Sequence, residues 1–234
     1  MLKRKAYDRL LEWKKNRNGK TALLIEGARR VGKSTLVEEF GRNEYASCLI
    51  VDFFQAPAEV RQYFEDYRTD FDTLFLYLST YYGVDLHERD TLIVFDEVQM
   101  FPTARGLLKY LVADGRYDYI ETGSLLSIKQ NVDGIVVPSE EESFELNPLD
   151  FEEFLWGMGE EKLVTLIRRQ FDSLKPLPDG LHRRAMGLLR EYILVGGMPG
   201  PVSIYAVSYT HLDVYKRQAG ETSAAPSPRA RSLR

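Results

Sequence analysis

The stretch Gly27-Ala-Arg-Arg-Val-Gly-Lys-Ser34 constrains this chain more than any other, because it sits between an apolar run and an amphipathic one. Thr21-Ala-Leu-Leu-Ile-Glu26 reads as a short buried strand, and Thr35-Leu-Val-Glu-Glu-Phe40 as a helix with Leu36, Val37 and Phe40 on one face. Strand, glycine-bearing loop and helix in that order make an anion cradle. Glycines let successive main-chain N–H groups turn toward phosphate oxygens, and the helix aims its positive end at the same place. Gly27, Ala28, Arg29, Arg30, Val31, Gly32, Lys33, Ser34 and Thr35 are therefore expected to bind nucleotide phosphates. Lys33 is expected to reach the β- and γ-phosphates and act in catalysis, and the Ser34 hydroxyl to ligate Mg²⁺.

A second half-site lies further along the chain. Thr91-Leu-Ile-Val-Phe95 is a continuous apolar run, as expected of a central strand in a parallel sheet covered on both faces. It leads into Asp96-Glu97, at the strand end where open α/β sheets place their ligands. Neighbouring strand residues point to opposite sides, so the pair is expected to divide labour. Asp96 would hold Mg²⁺ through its water shell and Glu97 would polarise the water that attacks the γ-phosphate. A third strand, Tyr117–Glu121, runs into Thr122-Gly-Ser124. Two roles stand open for Thr122: a sensor of the γ-phosphate or positioner of water, or a cap for a helix beginning at Leu125-Leu126.

Around these motifs the pattern alternates strands with helices, which argues for a parallel sheet with right-handed crossovers. An amphipathic helix opens the chain, with Ala6, Leu10 and Trp13 at helical spacing and Lys3, Arg4, Lys14, Lys15 and Arg17 on a solvated basic face. A strand is expected at Ser47–Phe53 and helices at Glu59–Tyr67, Phe71–Tyr82 and Ala104–Ala113. Short β segments are expected at Ile135–Val137 and Ser143–Leu146. Composition shifts at Pro148, after which Leu149–Met158, Glu161–Phe171 and Leu181–Val195 all read as helical and lead to the turn Gly196-Gly-Met-Pro-Gly200. The expected organisation is a core over residues 1–147, a helical subdomain over 148–206, and a foreign tail over 207–234.

That tail has its own signature. Val207-Ser-Tyr-Thr-His-Leu-Asp-Val-Tyr-Lys-Arg-Gln218 can be encoded by a DNA inverted repeat resembling two transposon-end sequencing adapters joined head to head. Residues 219–234 are low-complexity and lack apolar periodicity. The native sequence is expected to stop being represented near Ala206, so the arginines of the tail are no argument for a nucleic-acid arm.

The 234 residues carry a net charge of −4, which gives no electrostatic support for binding nucleic acid. No apolar run is long enough for a membrane span, and Cys48 is the only cysteine, so a reducing cytoplasm is the expected setting. The three histidines lack metal-ligand spacing.

The chain resembles the AAA-type P-loop ATPases of bacteria and archaea that carry an uncharacterised C-terminal domain. The resemblance rests on Gly27–Thr35, Asp96-Glu-Val-Gln99, Thr122-Gly-Ser124, Glu145-Leu-Asn-Pro-Leu-Asp-Phe-Glu-Glu-Phe154 and Gly196-Gly-Met-Pro199, and covers roughly residues 4 to 203. It implies an α/β P-loop NTPase fold of the additional-strand type, a three-layer parallel sheet, with ATP and Mg²⁺ as cofactors and Glu97 as base. One feature of many relatives is missing: a Gly-Arg pair shortly before the Pro-Leu-x-Phe segment, since no arginine lies between Lys129 and Phe144. Arg105, Arg116 or an arginine from a protein partner or second copy are the remaining candidates for a γ-phosphate-sensing finger. The leading expectation is ATP hydrolysis that drives a conformational change of an attached effector domain. A nucleotide-gated switch with negligible turnover is the alternative, and a small-molecule kinase a weaker one; no Asn-Lys-x-Asp segment supports a GTPase.

Overall fold

Apolar runs bounded by polar residues become strands here, and alternation along each strand sorts their side chains into two cores. The computed structural model describes residues 2–17, 19–124 and 141–208. Its strands are β1 (Ala22–Gly27), β2 (Ser47–Asp52), β3 (Thr91–Asp96), β4 (Asp118–Ser124) and β5 (Glu141–Leu146). Its helices are α1 (Ala6–Arg17), α2 (Lys33–Glu44), α3 (Ala58–Asp66), α4 (Phe71–Tyr82), α5 (Pro102–Asp114), α6 (Phe151–Gly157), α7 (Glu161–Asp172) and α8 (Asp179–Val195). Residues 199–208 are helical as well. Among the described residues no helix is long and apolar enough to cross a membrane. The β segment expected at Ile135–Val137, the helix start at Leu125 that one of the two readings of Thr122 requires, and most of the 207–234 tail lie outside the described residues.

By contacts the chain divides into two units, one from Lys3 to Pro148 and one from Leu149 onward. In the first, all five strands are parallel in the order β2-β3-β4-β1-β5. Strand β4 is inserted between the strand that feeds the glycine loop and the strand that ends in Asp96, which is the additional-strand arrangement. Leu92 and Val94 of β3 join α1 and α2 on one face; Ile93 and Phe95 join α3, α4 and α5 on the other. The three layers result from that period of two. Phe53, Phe64, Phe95 and Phe101 interlock on the α3–α5 side with ring centroids 5.3–6.1 Å apart. In α4 Leu74, Phe75 and Leu78 are buried, while Tyr81 is exposed. Asp70 caps that helix by accepting from the Thr73 amide at 3.1 Å, and Gly83 ends it in the left-handed region.

The second unit explains why Pro148–Phe154 and Gly196–Pro199 stand out in the sequence. Asp150 and Glu153 form a reciprocal cap at the start of α6: each carboxylate accepts the other's main-chain N–H, at 2.9 and 3.0 Å. The Leu149 amide donates to the Gly197 carbonyl at 2.7 Å, and the Tyr192 hydroxyl to the Leu149 carbonyl at 2.8 Å. The glycine turn thus pins the residue before the cap, and Leu149, Phe154 and Val202 close a small core. Pro199, read as part of a turn, instead opens the last helix, where a missing N–H costs nothing.

One buried group in the first unit has a consequence for stability. Arg105 of α5 meets Glu141 of β5 at 3.0 Å and Glu121 of β4 at 3.6 Å, and the Glu121 side chain is fully buried. Burial, and then the Glu141 charge, push the Glu121 carboxyl well above the ordinary glutamate value of 4.5; Arg105 opposes them. The folded chain therefore holds this proton more tightly than the unfolded one. Its contribution is full below about pH 4.5 and is lost as pH rises through the raised value. Glu121→Gln, neutral at every pH, is expected to lose less stability than the wild type between pH 5 and pH 8, as urea-unfolding midpoints will show; parallel pH slopes would contradict it.

Candidate functional site

The register of the parallel sheet brings the strand ends to one edge. Gly27 pairs with Ser124 and with Leu146, and Asp52 pairs with Asp96. The glycine loop leaves β1 there. Gly27 has φ +155°, and a Cβ on it would lie 2.4 Å from the Leu146 carbonyl oxygen, so only glycine fits. Arg30 and Gly32 are left-handed, at φ 65° and 97°. Gly32 precedes α2 and offers no side-chain cap, so the N–H groups of Lys33, Ser34 and Thr35 have no intrahelical partner and stand available to an anion.

Lys33 is 5 % exposed, and its ammonium donates to the Gly27 and Ala28 carbonyls at 3.0 and 3.1 Å. Burial pulls its pKa below the usual lysine value, while Glu97 and Asp96 pull it back up. The Ser34 hydroxyl donates to Asp96 Oδ1 at 3.0 Å, and the Thr122 hydroxyl donates to the same oxygen. Thr122 Oγ1 in turn accepts from the Glu97 amide at 3.3 Å. Thr122 lies within β4 and is fully buried, so it reaches the site only through Asp96 and Glu97.

Glu97 departs from the expectation of alternate strand faces. Strand β3 ends at Asp96, and Glu97 turns left-handed at φ 52° into a short 3₁₀ turn, Val98–Met100. Asp96, Glu97 and Ser34 consequently line one cleft of about 610 Å³, with Arg29, Arg30 and Phe54 on its rim. The Glu97 carboxylate accepts a hydrogen bond from the Gln99 side-chain amide.

A family model described as an AAA domain matches residues 19–155. The chain belongs to the AAA-type P-loop ATPase family. No curated protein matches it. Among solved structures it is similar to the Aeropyrum pernix ORC1 protein in complex with DNA, at 15% identity, TM-score 0.43, over 66% of this chain and 47% of that one. It is also similar to a chain of the Drosophila ORC bound to GC-rich DNA and Cdc6, at 13% identity, TM-score 0.43, over 82% of this chain and 77% of that one. The chain thus spans about half the length of the Aeropyrum protein it matches.

This AAA domain is a nucleotide-binding P-loop fold, and its donor set can be tested against the expected metal. Among the described residues no group of three or more His, Cys, Asp or Glu could hold an ion. Ser34 and Asp96 offer two hard oxygens side by side, which suits Mg²⁺ completed by phosphate and water.

The arginine candidates are placed elsewhere. Arg105 is 5 % exposed and engaged with Glu141 and Glu121. Arg116 precedes β4, at the opposite end of the strands from the cleft, and pairs with Asp114 at 2.7 Å and Asp72 at 2.6 Å. Neither lines the cleft. Arg4, expected on a solvated face, is buried, and its guanidinium donates to the Val31 and Asn147 carbonyls. Asp52, Phe54 and Gln55 also reach the cleft, although no sequence motif marks them; alignment of the β2 and β3 ends is what delivers them.

Thr122→Val removes the hydroxyl that serves Asp96 and Glu97. It is expected to cost about 1–3 kcal/mol in equilibrium unfolding, the usual loss when a buried charged acceptor is deprived of a donor. A variant as stable as the wild type would show that water replaces the hydroxyl.

Proposed function

We propose that this chain binds ATP with Mg²⁺ and hydrolyses it, using the energy to change the conformation of an attached effector domain. The observation that carries this reading is the Ser34–Asp96 hydrogen bond at the uncapped start of α2, beside Lys33 on the loop carbonyls, in the cleft that Ser34, Asp96 and Glu97 line together. The main-chain amides from Gly27 to Thr35 cradle the phosphates, and Lys33 exchanges its two loop carbonyls for β- and γ-phosphate oxygens. Ser34 and Asp96 would hold Mg²⁺, which would supply neutralising charge on those oxygens when bound. Glu97 accepts the proton of a water as it bonds to the γ-phosphorus; the bridging P–O bond breaks, and ADP and inorganic phosphate leave. Thr122 acts as a positioning residue, holding Asp96 and the Glu97 backbone. A protein partner or second copy brings the arginine that senses the γ-phosphate, because Arg105 and Arg116 are engaged elsewhere. A cytoplasmic setting suits a protein fed by ATP.

A second reading is a nucleotide-gated switch with negligible turnover. The hydrogen bond from the Gln99 amide to Glu97 Oε2 favours it, since it occupies one of the two oxygens that a general base would turn to water. Single-turnover hydrolysis and ATP affinity separate the two. Lys33→Ala is expected to weaken ATP binding at least about tenfold, as loss of a charged hydrogen-bonding group implies. Glu97→Gln is expected to keep ATP affinity while hydrolysis falls by about a hundredfold or more, the scale of a lost general base. Equal turnover in Glu97→Gln and wild type would favour the switch.

A further inference from the structure

We propose that Arg4 is a positioning residue of the nucleotide site: its guanidinium ties the phosphate loop at Val31 to the exit of β5 at Asn147, so that ordering the loop and ordering that exit are one equilibrium. The proposal deepens the nucleotide-binding reading and rests on it.

The geometry is that of a two-pronged clamp. Arg4 is 6 % exposed; Nη1 donates to the Val31 carbonyl at 3.0 Å and Nη2 to the Asn147 carbonyl at 2.6 Å. Hydrogen bonds from a guanidinium are charge-assisted and stronger than neutral ones, and its planar fork fixes two acceptors at once. Val31 comes directly after Arg30, whose left-handed backbone sets the direction of the loop, so holding the Val31 carbonyl holds that turn. The same two segments meet a second time, where Gly27 packs so closely on the Leu146 carbonyl that no Cβ fits between them. The loop and the β5 exit are therefore joined at both ends of the loop's glycine-bounded arc: directly at Gly27 and through Arg4 at Val31. One residue after Asn147 the chain leaves the first unit at Pro148. A change in the loop on nucleotide binding has a short rigid path to that exit.

A structural role alone would have Arg4 merely anchor the N-terminal helix. That helix is also docked by Ala6, Leu10 and Trp13, in the core that holds Val31 and Leu36, so Leu10→Ala serves as the packing control: it loosens that core and α1 but leaves the guanidinium and its two carbonyl acceptors in place. Equilibrium binding of a fluorescent ADP analogue to the full 234-residue chain is the first readout. Arg4→Ala is expected to weaken binding about tenfold, Arg4→Lys less because one ammonium still reaches one carbonyl, and Leu10→Ala no more than about twofold. Should Arg4→Ala not fold, Arg4→Lys against Leu10→Ala carries the comparison. Hydrogen exchange without nucleotide is the second readout. Arg4→Ala, or Arg4→Lys in its place, is expected to speed exchange in peptides spanning residues 27–33 and 145–147 together, and Leu10→Ala chiefly in α1 and the facing α2. Arg4 variants that bind like Leu10→Ala, or that leave both segments exchanging as in the wild type, overturn the proposal. Wild-type protein that ignores the ADP probe sinks the nucleotide reading instead, and the exchange experiment then decides the clamp by itself.

Discussion

A carboxylate that is 8 % exposed is tolerable only with donors around it, and at Asp96 those donors come from two separate elements of the chain. Ser34 reaches it from the first turn of α2, and Thr122 from β4. The strand order makes this meeting possible. Because β4 lies between β1 and β3, a residue near its end is adjacent both to the loop strand and to the strand that ends in Asp96. One oxygen thereby measures the distance between phosphate loop and acidic turn. Through that oxygen the Ser34 hydroxyl is linked to Thr122, and through Thr122 to the Glu97 backbone.

The same edge of the sheet concentrates backbone strain. Of the four non-glycine residues with left-handed backbone among the described residues, Arg30 sits in the phosphate loop and Glu97 comes next after Asp96. Each such residue costs of the order of 1–3 kcal/mol and persists where its surroundings hold it. Around Arg30 the hold comes from Gly27 against Leu146 and from Arg4 on Val31; around Glu97 it comes from Thr122 on the amide and Gln99 on the carboxylate. Rigid strands carry the strain on both sides, so the groups that meet the cleft are positioned by the sheet rather than by loops alone.

How much of this is legible in the sequence depends on the range of the physics involved. Local patterns read well: the glycine spacing of the loop, the apolar runs of β1 and β3, the stripe of α1. Sequence puts Glu97 at the right strand end but misreads its direction, because alternation along a strand does not extend beyond the end of β3, where a left-handed turn takes over. Arg4 reads as solvated because nothing in its neighbourhood says that carbonyls at Val31 and Asn147 converge on it; separations of 27 and 143 residues leave no periodic trace. The ion pairs of Arg105 and Arg116 escape the sequence for the same reason, since their carboxylate partners at Glu141, Glu121 and Asp72 are remote along the chain. Asp150 and Glu153, by contrast, carry a three-residue signature, and their segment stands out in the sequence even before its capping role is visible.

The buried Arg105–Glu121–Glu141 group shows what the additional strand costs the core. Strand β4 is flanked on both sides, and Glu121 places a carboxyl in the layer beneath α5, where neighbouring strand residues such as Tyr119 are packed in aromatic and aliphatic surroundings. One guanidinium faces two carboxylates there, so neutrality requires a proton, and the raised affinity of Glu121 for that proton arises from burial and from Glu141. Replacing such a group by apolar residues is often neutral or stabilising elsewhere. Here it ties β5, which among the described residues pairs only with β1, to α5 as well. The strand whose exit Arg4 clamps to the phosphate loop is thus anchored at its start by Arg105, and a strand held at both ends can transmit a displacement of the loop instead of absorbing it.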